Sequence, residues 1–286
     1  MVVTKAKEVV PTTLGDLKKL GFIEAPSEVL IKRGIVSITA TDKEGKTDLA
    51  LSGPAPVLYV DFDVGGTGII EKFKAAGKDI LVYRLRFIKE GIEQKLWEAQ
   101  WEGFREVFVT ALGLGKGTVI VDTASEMYEL CRLARLGRLE QVPPLKYQEV
   151  NKEMRELLRL AYESEMNVVL VHKMKPEWLN GQKTSKFELM GWGDTEYNTE
   201  LNLRPFTEVE NDKLHFKVRV RNCRLNAKMT GKVYDCGKAG DPPSNMLEKL
   251  IAEMYQKPIK KLKLDEEDEK PKKKKSGKKL KLDDED

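Results

Sequence analysis

Short apolar segments rich in valine and isoleucine alternate with stretches of helical periodicity through the first two thirds of the chain. The apolar segments that predict strands are IVSITA (35–40), VLYVDFD (57–63), ILVYRLRFI (80–88), TVIVDT (118–123) and NVVLVH (167–172). Several are apolar on both faces, which is typical of strands in a parallel sheet that is covered on both sides. Because apolar residues recur at helical spacing within 96–111 and 154–161, the pattern predicts an α/β fold with a mainly parallel central sheet flanked by helices.

The pattern changes after about residue 192, where strict alternation begins to dominate. Within 214–224, Leu214, Phe216, Val218 and Val220 share one face, and Lys217, Arg219 and Arg221 share the other. This alternation predicts an exposed or edge strand, which a short partner around 232–235 would complete as a C-terminal β-ribbon. A last amphipathic helix is predicted from about 244 to 255, with Ser244 as its N-cap.

Charge divides the chain into three parts. Of the 286 residues 34% are charged, and much of this charge lies in the last thirty, where blocks of like charge cannot build a core. We therefore predict an N-terminal extension (1–33), a core (34–258) and a disordered charged tail (259–286). The tail is either a solvated segment or a tether for a partner, such as a single-strand-binding protein or another replication factor.

Composition argues against several classes of protein. No apolar run approaches the roughly 18–20 residues that span a bilayer, and the N-terminus lacks the apolar segment of a signal peptide. We therefore expect a cytoplasmic protein without a membrane partner, in a host cell if the protein is viral. Cys131, Cys223 and Cys236 are widely separated and accompany only two histidines, which argues against a zinc site or a disulfide framework.

The segment ITATDKEGKTDLALSG (38–53) introduces candidate chemistry, because its Gly45, Lys46 and Thr47 match the end of the phosphate-loop pattern G-x-x-x-x-G-K-[ST]. Ala40 stands at the position of the first glycine, where alanine is the least damaging replacement. In such loops, backbone N–H groups surround the phosphates, the lysine reaches the β and γ phosphates, and the hydroxyl binds Mg²⁺. A predicted strand before the loop and a predicted helix after it provide the required context.

The alternative interpretation of this segment is a charged turn that imitates a phosphate loop. Asp42 and Glu44 add negative charge, and Asp48 stands where a serine or threonine would suit the α-phosphate. The candidate nucleotide-binding residues are Ala40, Thr41, Asp42, Lys43, Glu44, Gly45, Lys46, Thr47 and Asp48.

Polar residues at the ends of other predicted strands favour the nucleotide site. Asp122 ends an apolar strand, which is the Walker B arrangement, and Asp61, Asp63 and His172 end two more. The carboxyl ends of parallel strands meet at one edge of a sheet, where such folds bind ligands. As a set, these residues predict a nucleoside-triphosphate site in which Thr47 and Asp122 bind Mg²⁺.

In order and spacing, the segment 39–50, VLYVDFD, TVIVDTASEMYEL and NVVLVHKMK resemble the ATPase core of RecA-like recombinases. The resemblance is greatest to the compact phage-encoded RecA-core ATPases associated with single-strand annealing, and it covers roughly residues 30–240. It implies a RecA-like P-loop ATPase that uses ATP and Mg²⁺, assembles with itself as a ring or filament, and acts on single-stranded DNA. The family usually has glycine at Ala40, serine or threonine at Asp48 and glutamate at Asp63, and the shorter Asp63 could slow hydrolysis.

The resemblance also implies roles for individual residues. Lys46 and Thr47 bind phosphate and Mg²⁺, Asp122 is the Walker B acid, and Asp63 activates the attacking water. His172 falls at the position of a γ-phosphate sensor, although a histidine at a strand end can also simply cap the strand.

Arg219 and Arg221 match the place from which such proteins reach a neighbouring subunit's nucleotide. Their alternative role is to keep an edge strand soluble through basic side chains.

Two segments are implied to face single-stranded DNA, namely 137–148 and 173–193. Their cations would contact phosphates and their aromatic side chains would stack on bases, although the second segment could also be a simple lid. The candidate DNA-binding residues are Arg138, Lys146, Lys173, Lys175, Lys183 and Lys186.

Two other functions remain open from the sequence. One is a P-loop kinase for a small molecule, which would usually carry an arginine-rich lid between its late strands. The other is a nucleotide-binding scaffold that does not hydrolyse ATP and recruits partners through the tail.

Overall fold

The computed structural model describes residues 32–63, 65–86, 93–138, 143–179, 181–238 and 241–255. The predicted charged tail and nearly all of the predicted N-terminal extension lie outside these ranges. Within them, no helix is long and apolar enough to cross a bilayer.

The described residues contain an eight-stranded sheet and a separate two-stranded hairpin. The strands are β1 Ile35–Thr39, β2 Val57–Asp61, β3 Ile80–Arg84, β4 Thr118–Asp122, β5 Asn167–His172, β6 Met174–Leu179, β7 Gln182–Leu189, β8 Leu201–Glu210, β9 Lys213–Cys223 and β10 Val233–Lys238. The large sheet has the order β10-β9-β8-β1-β5-β4-β2-β3, and β6 pairs only with β7. The run from β8 to β3 is parallel, whereas β9 and β10 are added antiparallel.

Helices cover both faces of this sheet. They are α1 Lys46–Leu51, α2 Thr67–Ala75, α3 Gln94–Leu112, α4 Ala124–Leu136, α5 Tyr147–Glu163, α6 Thr195–Asn198 and α7 Met246–Met254, with 3₁₀ turns at Pro144–Lys146 and Ala227–Met229. One apolar core packs α3, α4 and α5 against Val119, Val121, Val168 and Leu170. A second core packs α1, α2 and α7 against Ile120, Val169 and Val171 on the other face. The predicted α/β fold with a mainly parallel sheet flanked by helices is therefore confirmed.

The five strands predicted from apolar segments are present, and β1, β4 and β5 are buried along their whole length. Of the two alternatives predicted at 214–224, an exposed strand or an edge strand, the edge strand was wrong, because β9 lies between β8 and β10 and β10 forms that edge of the sheet. The alternation in β9 arises because one face of the ribbon is exposed while both of its backbone edges are paired.

Two further expectations need correction. The predicted loop at 173–193 is largely the antiparallel hairpin of β6 and β7. The last helix begins at Met246 rather than at a Ser244 cap. Its first N–H groups are instead satisfied by Ser52 at the end of α1, whose hydroxyl accepts from Leu247 N at 2.9 Å.

Candidate nucleotide-binding site

The loop between β1 and α1 has a conformation that glycine makes possible. Ala40 is buried at its start, and both Lys43 and Gly45 have positive φ, of 63° and 78°. The carbonyl of Gly45 accepts the first helical hydrogen bond, from Leu49 N at 2.9 Å. A Cβ at Gly45 would lie 3.1 Å from the ring of Phe216, so both the dihedral and the space disfavour any other residue.

Lys46 folds back over this loop. Its ammonium donates to the carbonyl of Thr41 at 2.6 Å. Burial lowers the pKa of Lys46, although the charges of Asp42, Asp122 and Glu44 oppose that effect. A partly desolvated ammonium that is bonded to a neutral carbonyl gains by exchanging this partner for an anion.

Asp48 follows in the first turn of α1, where its carboxylate forms an ion pair with Lys72 of α2 at 3.4 Å. Lys72 therefore offsets the charge of Asp48, whereas the argument of the charged-turn interpretation from Asp42 and Glu44 is unaffected.

Thr47 and Asp122 meet across the sheet edge. The hydroxyl of Thr47 donates to Asp122 Oδ2 at 2.7 Å, and the hydroxyl of Tyr59 on β2 donates to the same oxygen at 2.8 Å. Burial raises the pKa of Asp122, whereas these two hydrogen bonds lower it. Tyr59 was not among the predicted residues, although it precedes Asp61 by two positions and so shares its face of β2.

The predicted Mg²⁺ ligands fit this arrangement. Thr47 and Asp122 supply two adjacent hard oxygens, and Mg²⁺ in nucleotide sites usually takes one or two protein oxygens besides phosphates and water. The described residues contain no group of three or more His, Cys, Asp or Glu side chains that could hold a metal alone.

Asp63 lies two residues beyond the end of β2, with about half of its side chain exposed. Its carboxylate is 3.0 Å from Lys173 Nζ, and the same ammonium is 2.9 Å from Glu126 Oε1 at the start of α4. The ammonium of Lys173 thus bridges the carboxylates of Asp63 and Glu126. Lys173, predicted to contact DNA phosphates, is instead neutralised by two acids.

His172 lies on the face of the sheet opposite to Asp122. Asp122 pairs with Val171, whose side chain faces α1, so the next residue along β5 faces α3, α4 and α5 with Leu170. Burial lowers the pKa of His172 to about 4, and neither ring nitrogen has a hydrogen-bond partner among the described residues. The ring lines a small apolar cavity whose walls include Phe108, Met127, Met154, Leu158 and Trp192.

This position of His172 disagrees with a direct contact between its imidazole and a γ-phosphate. The alternative of a cap that hydrogen-bonds the strand end is not supported either, because neither ring nitrogen has a partner among the described residues. Trp192, one of the aromatic residues in the segment 173–193, is likewise buried in that core and offers no stacking face.

Arg219 and Arg221 point from β9 into an open cleft of about 640 Å³ beside the phosphate loop. Its other walls are Thr41, Glu44, Met174, Ser185, Lys186, Phe187, Arg204 and Phe206. Arg204, on β8, was missed by the sequence analysis because that strand was not predicted. Burial lowers the pKa of Arg204, and the nearby charges of Arg221 and Arg219 lower it further.

The β6–β7 hairpin carries the remaining predicted DNA cations of the second segment. Lys175 forms an ion pair with Glu188 at 3.1 Å, whereas Lys183 and Lys186 are exposed. Trp178 and Phe187 are exposed beside them, by 63% and 47%, so two aromatic faces are open to a ligand.

The first predicted DNA segment is only partly described. The guanidinium of Arg138 lies 5.5 Å from the centre of the Trp97 ring, and Lys146 is exposed at the end of the Pro144–Lys146 turn. Residues 139–142 between them lie outside the described ranges.

Comparisons with known proteins add little to this geometry. No model of a protein family and no curated protein matches the sequence. Among solved structures, the chain is similar to the crystal structure of a KaiC-like protein from the hyperthermophilic archaeon Pyrococcus horikoshii OT3. That similarity has 16% identity and a TM-score of 0.42, and it covers 71% of this chain and 84% of the other. An identity and a TM-score this low assign no function. A functional assignment must therefore be argued from the residues of the loop and of the strand ends.

Proposed function

We propose that this chain is a RecA-like P-loop ATPase that binds ATP with Mg²⁺, hydrolyses it, and acts on single-stranded DNA in recombination, annealing or replication. The observation that carries the proposal is the 2.7 Å contact between Thr47 and Asp122, which are 75 residues apart. This contact joins the predicted phosphate loop to the predicted Walker B strand. The alternative of a charged turn does not require any contact between these two segments.

The loop would bind the triphosphate through its backbone N–H groups and Lys46. On binding, the ammonium of Lys46 leaves the carbonyl of Thr41 for the β and γ phosphates, with which it forms charge-assisted hydrogen bonds. Thr47 and Asp122 would hold Mg²⁺, which when bound neutralises part of the phosphate charge.

Hydrolysis requires an oriented water molecule. Asp63 is the proposed base, with Glu126 as the second candidate, because both carboxylates lie at the edge of the sheet that carries the loop. The water oxygen bonds to the γ-phosphorus while the bond from that phosphorus to the β–γ bridging oxygen breaks. The proton of the water passes to the carboxylate, and ADP and inorganic phosphate leave.

The positive charge of the cleft beside the loop is evidence for binding of a polyanion. Lys186, Arg204, Arg219 and Arg221 bring four positive charges to its walls, against one carboxylate from Glu44. Crowded guanidinium groups repel one another, so a bound phosphate would relieve that repulsion. The aromatic side chains in the same walls and on the hairpin are suited to stack on unpaired bases, which favours single-stranded over double-stranded DNA.

Two measurements test the activity. Purified protein is incubated with ATP and Mg²⁺, with and without single-stranded DNA, and phosphate release is followed. We expect hydrolysis that DNA stimulates. Transfer of the γ-phosphate to a small-molecule acceptor would instead indicate a kinase, and ATP binding without turnover in either condition would indicate a scaffold.

DNA binding should depend on the hairpin cations. We expect the double substitution Lys183→Ala and Lys186→Ala to weaken binding of single-stranded DNA and to make its logarithmic salt dependence shallower by about 1.4, because each phosphate contact contributes about 0.7. Fluorescence anisotropy at several salt concentrations measures both quantities.

The matched control for the hairpin cations replaces Lys95 and Lys152, which are exposed on α3 and α5, by alanine. It removes the same net charge and should change neither quantity beyond a small uniform effect. If the hairpin variant kept its affinity and deletion of 270–286 abolished binding, the tail would be the DNA-binding element.

Arg219 and Arg221 are proposed to reach the nucleotide of a neighbouring subunit. Mixing inactive Arg221→Ala subunits with inactive Lys46→Ala subunits should then restore part of the ATPase activity, because some interfaces combine an intact loop with an intact arginine. A mixture of Lys46→Ala subunits with subunits that carry both substitutions has no complete interface and should stay inactive. Absence of any rescue would favour action of the arginines on the cleft of their own subunit, whose walls include Thr41 and Glu44.

A further inference from the structure

Lys173 occupies a position between the hairpin and the candidate catalytic carboxylates. It follows the last residue of β5 and directly precedes β6, so it is the first residue of the hairpin. Its ammonium is 3.0 Å from Asp63 Oδ2 and 2.9 Å from Glu126 Oε1, with about a quarter of the side chain exposed. One cation therefore bridges both residues that could orient the attacking water.

This bridge is stable as an ion pair. Burial lowers the pKa of Lys173, but the hydrogen bonds and charges of Glu126 and Asp63 outweigh that effect and raise it overall. The ammonium thus remains charged at neutral pH. Its charge also acts on Lys46, which places Lys173 within electrostatic range of the phosphate loop.

The root of the hairpin is fastened to the same part of α4 that supplies Glu126. The hydroxyl of Ser125 accepts a hydrogen bond from Lys173 N at 2.9 Å and donates one to Met190 O at 2.5 Å. Met190 N donates to Lys173 O at 2.9 Å, which closes the base of the hairpin. The backbone of Lys173 is part of this closure, so a displacement of the hairpin that breaks the Ser125 hydrogen bonds also shifts the attachment point of the Lys173 side chain relative to Asp63 and Glu126.

A carboxylate that is engaged by an ammonium is a poor partner for water. Its lone pairs are occupied, and the positive charge beside it lowers its tendency to accept a proton. The hairpin, in turn, presents Lys183, Lys186 and two exposed aromatic rings to a ligand. The ligand-binding surface and the restraint on the carboxylates are thus two ends of one short element.

We propose that Lys173 is a positioning residue that restrains Asp63 and Glu126 until a single strand binds the β6–β7 hairpin, and that it thereby couples DNA binding to ATP hydrolysis. This inference rests on the proposed ATPase function. DNA phosphates on the hairpin draw it away from α4, the bridge opens, and the freed carboxylate orients the attacking water.

The test uses the full chain with Lys173→Met, which keeps most of the length of the side chain and removes its charge. Without DNA, we expect kcat for ATP hydrolysis to rise about tenfold, a fraction of the 10²–10⁴ that a positioned base contributes, while KM for ATP stays unchanged. The ratio of the DNA-stimulated rate to the basal rate should fall towards one, and the affinity for single-stranded DNA should change little.

Lys152→Met is the matched control, because Lys152 is an exposed lysine on α5, outside both the hairpin and the candidate site. It should keep the wild-type basal rate and stimulation ratio. Lys173→Gln, checked by thermal unfolding alongside Lys173→Met, provides a second neutral side chain in case one variant folds poorly.

The outcomes separate the inference from the proposed function. A wild-type protein whose hydrolysis DNA does not change would contradict the proposed DNA-dependent ATPase. A wild type that DNA stimulates, together with folded Lys173 variants that keep the same stimulation ratio, would overturn only the inference. A basal rate that falls in these variants would also overturn it, because the lysine would then assist hydrolysis rather than restrain it.

Discussion

Replacing Lys46 by alanine is expected to remove measurable ATP binding. Lys46 is the side-chain cation proposed to reach the phosphates, and in the structure it is held over the loop by the carbonyl of Thr41. A hydrogen bond to a charged group contributes roughly 1.5–3 kcal/mol, so loss of contacts to two phosphates costs about 3 kcal/mol or more. This corresponds to a dissociation constant at least about a hundredfold higher.

Isothermal titration with ATP and with ADP in the presence of Mg²⁺ measures this effect. Lys74→Ala is the matched control, because Lys74 is an exposed lysine on α2, close in sequence but outside the loop. Thermal unfolding of both variants without nucleotide should resemble that of the wild type. Wild-type affinity for ATP in a folded Lys46→Ala protein would show that the loop only imitates a phosphate-binding loop.

The central sheet could be predicted because burial on both faces leaves a strong signal. β1, β4 and β5 are buried at every position and each contains three or four apolar residues, so each was found from its valines, isoleucines or leucine. β8 was missed because Arg204, Pro205 and Glu208 interrupt its apolar pattern, although Leu201 and Leu203 are buried. Arg204, the third arginine of the cleft, lies on β8 and therefore was not predicted either.

The face of the sheet on which each side chain lies was harder to predict than the strands themselves. Asp122 and His172 both end apolar strands, which alone suggested that they meet at one site. Their side chains diverge because the register pairs Asp122 with Val171, and a shift of one residue moves a side chain to the opposite face. Register depends on tertiary packing and cannot be read from either segment alone, so His172 was placed in the site and proved to face the other core.

The same period of two could have identified Tyr59. Tyr59 precedes Asp61 by two residues on β2 and lies on the same face. Because Asp61 pairs in register with Asp122, the hydroxyl of Tyr59 is close to the Asp122 carboxylate. A tyrosine within an apolar strand commonly packs in the core, so the strand sequence alone does not single out the hydroxyl of Tyr59. The Lys173 bridge could not have been predicted, because it joins residues from three separate segments through side-chain geometry alone.

Replacing Asp63 by asparagine is expected to give the second large effect, on hydrolysis rather than on binding. A group that orients water must be accessible to water. About half of the Asp63 side chain is exposed, whereas the side chain of Glu126 is 9% exposed. Asparagine keeps the shape of aspartate but cannot accept the proton, so we expect kcat to fall by about 10²–10⁴ while ATP affinity stays near the wild-type value.

Single-turnover measurements of phosphate release, with ATP affinity measured separately, distinguish this outcome from a loss of binding. Glu126→Gln is the informative partner variant, because Glu126 shares Lys173 with Asp63 and would inherit the role if Asp63 were not the base. If Asp63→Asn kept the wild-type rate and Glu126→Gln lost it, Glu126 would be the base and Asp63 would act only through Lys173. If each variant lost most of the rate and the double variant lost no more, the two carboxylates would act as one unit. Such non-additivity is expected of residues that act together on one attacking water molecule, and it would place both carboxylates beside that water once the Lys173 bridge opens.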